Sequence, residues 1–307
     1  SRVAVIDIGS NSTRLYLAEV ADGHVTRELE RRSTVTRLGT GVDRDGRLRD
    51  DAMQRVYDAL EEYEQLIAPH GETDRRIAVL TSAVRDSANG EMFAGTVQER
   101  FGFLPHVLSG DEEARLTFLG ATSERDPDDT TPTLVFDIGG GSTEMVIGHG
   151  REAGFHVSTQ AGVVRQTERH LHDDPPPEEQ QRELTADVEA IIAGAVPDAE
   201  SARVRRGIGV AGTATSLAAI AQSLDPYDPD RVHGYELSVS EGEEIVARLA
   251  SMDLAQRRRV AGLHPDRAPT IIAGGLIFLA VARRFGLEQV EISEHDILRG
   301  AALGLGA

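Results

Sequence analysis

Phe136-Asp137-Ile138-Gly139-Gly140-Gly141-Ser142-Thr143 repeats, in altered spelling, an earlier stretch, Ile6-Asp7-Ile8-Gly9-Ser10-Asn11-Ser12-Thr13. The offset is constant (137 − 7 = 130 and 143 − 13 = 130). Each copy follows an apolar run, 3–6 or 134–136, and leads into another, 15–20 or 145–147. A buried strand that ends in Asp-x-Gly, turns through small residues and returns as a second strand brings bare backbone N–H groups to one point. Glycine removes the Cβ obstruction, and amides with hydroxyls supply donors, so such a turn suits a phosphate. Two of them imply two facing half-molecules with a phosphate compound held between.

Composition narrows the options. A chain of 307 residues is long enough for two domains of ordinary size, and 40% hydrophobic content supports a core in each. There is no cysteine, which excludes disulfides and thiolate metal sites. No signal-like segment opens the chain, and the longest nearly apolar stretch, 271–282, is shorter than the ~18 residues a membrane span needs. A soluble cytoplasmic protein with no membrane partner is the expectation. The formal charge of −19 argues against nucleic acid as a partner. It also means that a phosphate site must be made locally positive by amides, selected arginines and a divalent cation. Every basic residue other than histidine is arginine, which removes the lysine-dependent P-loop.

The pattern predicts strands at 3–9, 13–20 and 24–38, the last two joined at Asp22-Gly23. A helix follows at 51–68, with Val56, Leu60 and Tyr63 on one face and Gln54 placed for a capping box. Then come a strand at 76–82, a helix at 90–101, a strand at 104–108 and a helix at 111–122. The polar stretch 124–132 reads as a boundary, and the order restarts with strands at 133–139, 144–148 and 155–160. A turn at 173–177 precedes a helix through 193, then a strand at 205–210 and a helix at 213–222. Helices at 241–250, 254–261 and 271–285, a strand at 289–292 and a last helix from Asp296 complete the chain. This order predicts an α/β protein of two actin-like, ribonuclease-H-type domains with a cleft between them. The first would comprise 1–125 plus about 294–307, and the second 126–293.

Within that frame, Gly9, Ser10, Asn11 and Ser12 would donate to phosphate, with Asp7 orienting water or metal. Gly139, Gly140, Gly141, Ser142 and Thr143 would do the same in the second copy. Asp137 and Glu144 flank that loop and would share one Mg²⁺ (or Mn²⁺) through water. Ser109 and Glu112 form a capping box, so Glu112 has a structural explanation. Glu113, about 100° further round the helix, has no capping duty: it either takes a proton from an attacking water or simply suits the helix dipole. Arg85 either clamps a phosphate or pairs with Asp86 at the surface. Gly207-Ile208-Gly209-Val210-Ala211-Gly212 spells G-x-G-x-x-G. It is read as a decoy for dinucleotide binding because no β-α-β crossover continues from it; Gly212-Thr213 is the better phosphate contact, at a helix N-terminus. The arginine clusters 203–206 and 257–259 are expected as solvated faces, and His295 as structural.

Taken together these motifs resemble the exopolyphosphatase and guanosine pentaphosphate phosphohydrolase (Ppx/GppA) family in its short, two-domain form. The resemblance rests on 4–12, 37–41 (Arg-Leu-Gly-Thr-Gly), 81–85 (Thr-Ser-Ala-Val-Arg), 109–114, 137–144, 211–213 and 298–300, in one order over nearly the whole chain. It implies Glu113 as catalytic base and Arg85 as catalytic phosphate ligand. It implies Asp137 and Glu144 as metal residues, beside the reading of Asp7 as a water- or metal-orienting residue, and Asn11, Gly139, Ser142 and Arg267 as phosphate contacts. The implied reaction is release of the terminal phosphate of inorganic polyphosphate, of short chains in particular, or of pppGpp; a homodimer is compatible with it. Other readings of the same turns are a nucleotide phosphohydrolase, a sugar-kinase-like phosphotransferase and an actin-like assembly protein.

Overall fold

Six consecutive buried residues, Val3 to Ile8, make β1 (Arg2–Ile8) a strand covered on both faces, the pattern of a central strand rather than an edge. The structure is a computed structural model that describes residues 1–305. Its contacts divide the chain into two units, Ser1–Glu124 with Asp296–Ala307, and Arg125–His295. Each has the actin-like topology.

In the first unit β1, β2 (Ser12–Ala21) and β3 (His24–Val35) form an antiparallel meander. The chain continues through α1 (Val42–Asp45), α2 (Asp50–Ile67), β4 (Arg75–Leu80), α3 (Ser82–Arg85), α4 (Gly90–Phe101), β5 (Leu104–Val107) and α5 (Gly110–Thr122). β4 and β5 add in parallel, giving the order β3-β2-β1-β4-β5. Side chains alternate across this sheet. Ala4, Ile6 and Ile8 pack with Val56, Leu60 and Tyr63 of α2 and Phe93 and Val97 of α4. Val3, Val5 and Val79 pack on the other face with Leu116 of α5 and with Leu298, Ala301 and Ala302 of α14 (Ile297–Gly304), the chain's last helix. By the same alternation Asp7 belongs to the α5/α14 face. The two helices touch where Gly120 and Gly300 meet; a Cβ on Gly120 would fall on the Asp296 carbonyl, and one on Gly300 on that of Leu116.

The second unit repeats the meander with β6 (Thr133–Ile138), β7 (Thr143–His149) and β8 (Glu152–Thr159). It continues through α6 (Val163–His170), α7 (Glu178–Ala195), α8 (Asp198–Arg203), β9 (Arg206–Val210), α9 (Ala211–Ala221), α10 (Pro229–Val232), β10 (Tyr235–Ser238), α11 (Val239–Ala250), α12 (Leu254–Arg257), α13 (Ile271–Arg284) and β11 (Gln289–Ser293). The strand order is β10-β11-β9-β6-β7-β8, with β9 parallel to both β6 and β11. A hydrophobic core of Leu134, Phe136, Ile147, Leu184, Leu217, Ile277 and Phe278 binds helices to sheet.

Several expectations change. The helix over 50–67 has as N-cap Arg49, whose guanidinium offers no acceptor, so there is no side-chain cap bond, and the Gln54 amide reaches forward to Asp58 at 2.7 Å. Arg257 is not part of a solvated face. It is 5% exposed and holds the Met252 carbonyl (2.6 Å) and Asp174 (2.9 Å). β9 does enter a parallel pairing, with β11 by way of α9 to α13, contrary to the reading that no crossover continues from it. Its glycines nevertheless serve packing. A Cβ on Gly209 would lie 3.1 Å from Ala214 and 3.3 Å from Phe136.

Candidate active site

The first turn is shaped from behind. Gly9 N–H donates to the Ser12 carbonyl at 3.0 Å and closes the bend. The Ser10 carbonyl accepts from Gly39 N–H at 2.8 Å, and the Asn11 carbonyl accepts from Thr36 (3.0 Å) and Arg37 (2.9 Å). With the Ser10 carbonyl tied to the 36–39 segment, the Asn11 N–H, trans to it in the same peptide plane, faces away from that segment, and the Ser10 N–H lies one peptide earlier in the bend. Neither N–H has an acceptor among the described residues. Such consecutive outward N–H groups make an anion-binding concavity. The Asn11 side-chain Oδ1 is also buried and has no partner among the described residues.

The ends of α3 and the start of α5 lie beside this turn in the same unit. Ser82, opening α3, shares a hydrogen bond with Ser10 between their hydroxyls at 3.0 Å. At the end of α3, Arg85 donates through Nη1 to the Leu108 carbonyl at 2.9 Å. The same nitrogen is 3.5 Å from Glu113 Oε2, and Nε is 3.5 Å from Asp86. Arg85 therefore does pair with Asp86, and also meets Glu113, which is 8% exposed in the first turn of α5. Glu112 does what the capping box requires: its carboxylate accepts from Ser109 N–H at 2.9 Å, and those bonds lower its pKa. Sequence and fold thus give two adjacent glutamates different tasks.

Asp7 lies across the hairpin from Arg14. Its Oδ2 accepts from Arg14 Nε (2.9 Å) and Nη2 (2.5 Å), while Oδ1 is buried with no partner among the described residues. Burial raises its pKa, against the lowering effect of Arg14.

The second turn is built on the same plan. Gly139 N–H donates to Ser142 O at 2.9 Å. The first turn of α6 supplies the backing: Val163 N–H holds the Gly139 carbonyl (2.9 Å), and Val164 (2.9 Å) and Arg165 (3.2 Å) hold that of Gly140. Arg165 Nε takes the Gly141 carbonyl at 2.9 Å. A Cβ on Gly162 would fall on the backbone of Gly140 and Gly141, so the helix start and the turn are in backbone contact. The N–H groups of Gly140, Gly141 and Ser142 have no acceptor among the described residues. The hydroxyls of Thr143 and Thr213 are spent inward, on the Ala161 (2.5 Å) and Ile138 (3.2 Å) carbonyls. Those two hydroxyls are thus taken up inside the unit, which leaves any anion contact at Thr143 and Thr213 to the main-chain N–H groups.

Asp137 and Glu144 face each other across the β6–β7 hairpin, and Ser158 donates to Glu144 Oε1 at 2.9 Å. Two carboxylates on neighbouring strands with a hydroxyl beside them form the oxygen-only set that suits Mg²⁺ or Mn²⁺. Gly212 opens α9, and a Cβ there would fall on the Arg267 guanidinium, so that arginine lies against the helix start. Arg165 was missed from sequence, as was the whole of α6; an arginine beside a glycine carries no distinctive signal.

The Ppx/GppA phosphatase family model matches residues 16–302. The chain belongs to this family. It is 38% identical to exopolyphosphatase 2 of Mycobacterium tuberculosis over 99% of this chain and 98% of that one. A solved exopolyphosphatase-like protein superposes with a TM-score of 0.91 at 37% identity, covering 99% of this chain and 97% of the other. The Ppx/GppA member of Aquifex aeolicus superposes with a TM-score of 0.81 at 31% identity, covering 99% and 97%. Each turn described above therefore sits in a family setting and not merely in a shared fold.

Proposed function

We propose that the chain hydrolyses the terminal phosphoanhydride of inorganic polyphosphate, with short chains preferred and pppGpp as the competing substrate. The observation that carries this is the continuous arrangement inside the first unit. The Ser10–Ser82 hydrogen bond joins the amide turn to the start of α3, and Arg85 at the other end of α3 meets the buried Glu113 at 3.5 Å. Anion donors, a fixed guanidinium and a carboxylate with no capping duty thus share one framework.

In this reading the amides of Ser10 and Asn11, and those of Gly140, Gly141 and Ser142, bind phosphate oxygens. Arg85 neutralises developing charge and Glu113 orients and deprotonates water for in-line attack. Asp137 and Glu144 would hold Mg²⁺ or Mn²⁺, which supplies further neutralisation of phosphate oxygens when bound. Phosphoryl transfer relies on positioning and charge stabilisation more than on covalent work by the protein, which is what rigid amide turns supply.

The test is phosphate release from tripolyphosphate, long-chain polyphosphate, pppGpp and ATP, compared side by side with and without Mg²⁺. Fast release from tripolyphosphate with little from ATP supports the reading. Transfer of phosphate to an added acceptor in place of water would overturn it in favour of a phosphotransferase.

A further inference from the structure

The repeat that relates the two turns also relates the residues opposite their aspartates. Asp7 faces Arg14 across the first hairpin, and Asp137 faces Glu144 across the second, the same 130-residue offset (14 + 130 = 144). One position in one local fold therefore carries a guanidinium in the first unit and a carboxylate in the second.

Arg14 is committed on two sides. Its Nε and Nη2 both donate to Asp7 Oδ2, at 2.9 and 2.5 Å, and its Nη1 donates to Asp296 Oδ2. Asp296 is the N-cap of α14, where its Oδ1 accepts from Leu298 N–H at 3.0 Å. The side chains of Arg14, Asp7 and Asp296 are only 12%, 6% and 3% exposed. Arg31 adds a more distant contact, 4.0 Å from Asp296. A guanidinium held this way is a permanent, oriented cation between two buried carboxylates.

We propose that Arg14 is a built-in counter-ion, taking at the first turn the place that a divalent cation takes at the second. Asp7 is then no cation ligand, which revises the expectation from sequence. Its Oδ2 is spent on Arg14, and its partnerless Oδ1 is left as the acceptor for a bound water. Arg14 is a positioning residue, and Asp296 carries that positioning into the α14 cap. The inference rests on the reading of Asp137 and Glu144 as the cation pair, and the chain accordingly binds one divalent cation.

Mn²⁺ binding to the full chain, counted by titration calorimetry and by the fall in free-ion EPR signal, tests this without reference to turnover. Arg14→Glu restores the acid pair of the second hairpin and is expected to raise the count from one to two. An Arg14→Glu protein that folds only with Mn²⁺ present gives the same support. Arg14→Gln keeps the fold testable if the charge reversal does not fold at all. Its melting midpoint is expected to rise with Mn²⁺ by more than that of the wild type. An Arg14→Glu protein with an unchanged count, or an Arg14→Gln midpoint that follows the wild type, overturns the proposal. Glu144→Gln separates the two readings: loss of the wild-type ion supports the second-turn site. Retention of the ion there, with its loss in Asp7→Asn, would place the cation at Asp7 and overturn the inference.

Discussion

Replacing Gly39 by alanine tests whether the first turn works because it is held from behind. Gly39 donates to the Ser10 carbonyl at 2.8 Å, and an added Cβ would stand 2.8 Å from Ser10 Cβ, 3.2 Å from its carbonyl oxygen and 3.3 Å from its Cα. Ordinary van der Waals separation begins at 3.4 Å. Ser10 must therefore withdraw by about 0.6 Å, and its Cβ, fixed to the main chain, cannot swing aside as a long side chain would. A 1 Å misplacement of a positioning group costs about 10²-fold in rate, so a shift of this size is expected to cost about 10-fold in kcat. Overpacking costs about 1–3 kcal/mol of stability. The assay is phosphate release from tripolyphosphate beside a thermal melt. The control is Gly95→Ala in α4, where an added Cβ meets nothing within 4 Å. That control should keep its turnover and gain about 0.5–1 kcal/mol, since it removes a helix-interior glycine. A Gly39→Ala protein with wild-type kcat and wild-type midpoint would refute the backing argument.

Other outcomes follow from the same geometry. Glu113→Gln keeps the shape beside Arg85 and removes the base; turnover should fall about 10²–10⁴-fold while phosphate binding by calorimetry survives, and near-normal turnover would remove Glu113 from its role. Ser109→Ala should cost about 0.5–2 kcal/mol through loss of the cap, read by chemical denaturation. The Glu112 pKa is lowered in the folded state, so its contribution is present above the unfolded value of 4.5 and is lost as pH falls through the folded one. Glu112→Gln should accordingly flatten the acid limb of stability against pH, and an unchanged limb would count against the assignment. Glu144→Gln should raise the Mg²⁺ concentration needed for half-maximal turnover, and the same requirement as in the wild type would remove Glu144 from the cation pair.

The two hairpins were readable from sequence because each couples a doubly buried strand to a small-residue bend, and that pattern has few alternatives. Glu113 stood out for a similar local reason: its neighbour already had the capping task. What sequence did not disclose depends on contacts made from elsewhere. α6 is short, and its role comes from three N–H groups meeting the carbonyls of Gly139 and Gly140. Thr143 and Thr213 looked like donors by composition, yet each hydroxyl found a nearer carbonyl in the core. Arg257 sat in a run of arginines, but its place in the fold gave it carbonyls and Asp174 to hold, so burial prevailed over charge. Arg14 was passed over because its meaning appears only once strand register sets it opposite Asp7.

Both bends offer main-chain N–H groups, which neither gain nor lose protons in ordinary media and survive exchange of the side chains above them. On the proposed reading, the side chains at Asn11 or Ser142 can change while the polarity of the bends is kept. Substitution at those two places would then tune which phosphate compound fits, while the attraction of the main-chain N–H groups for an anion stays the same.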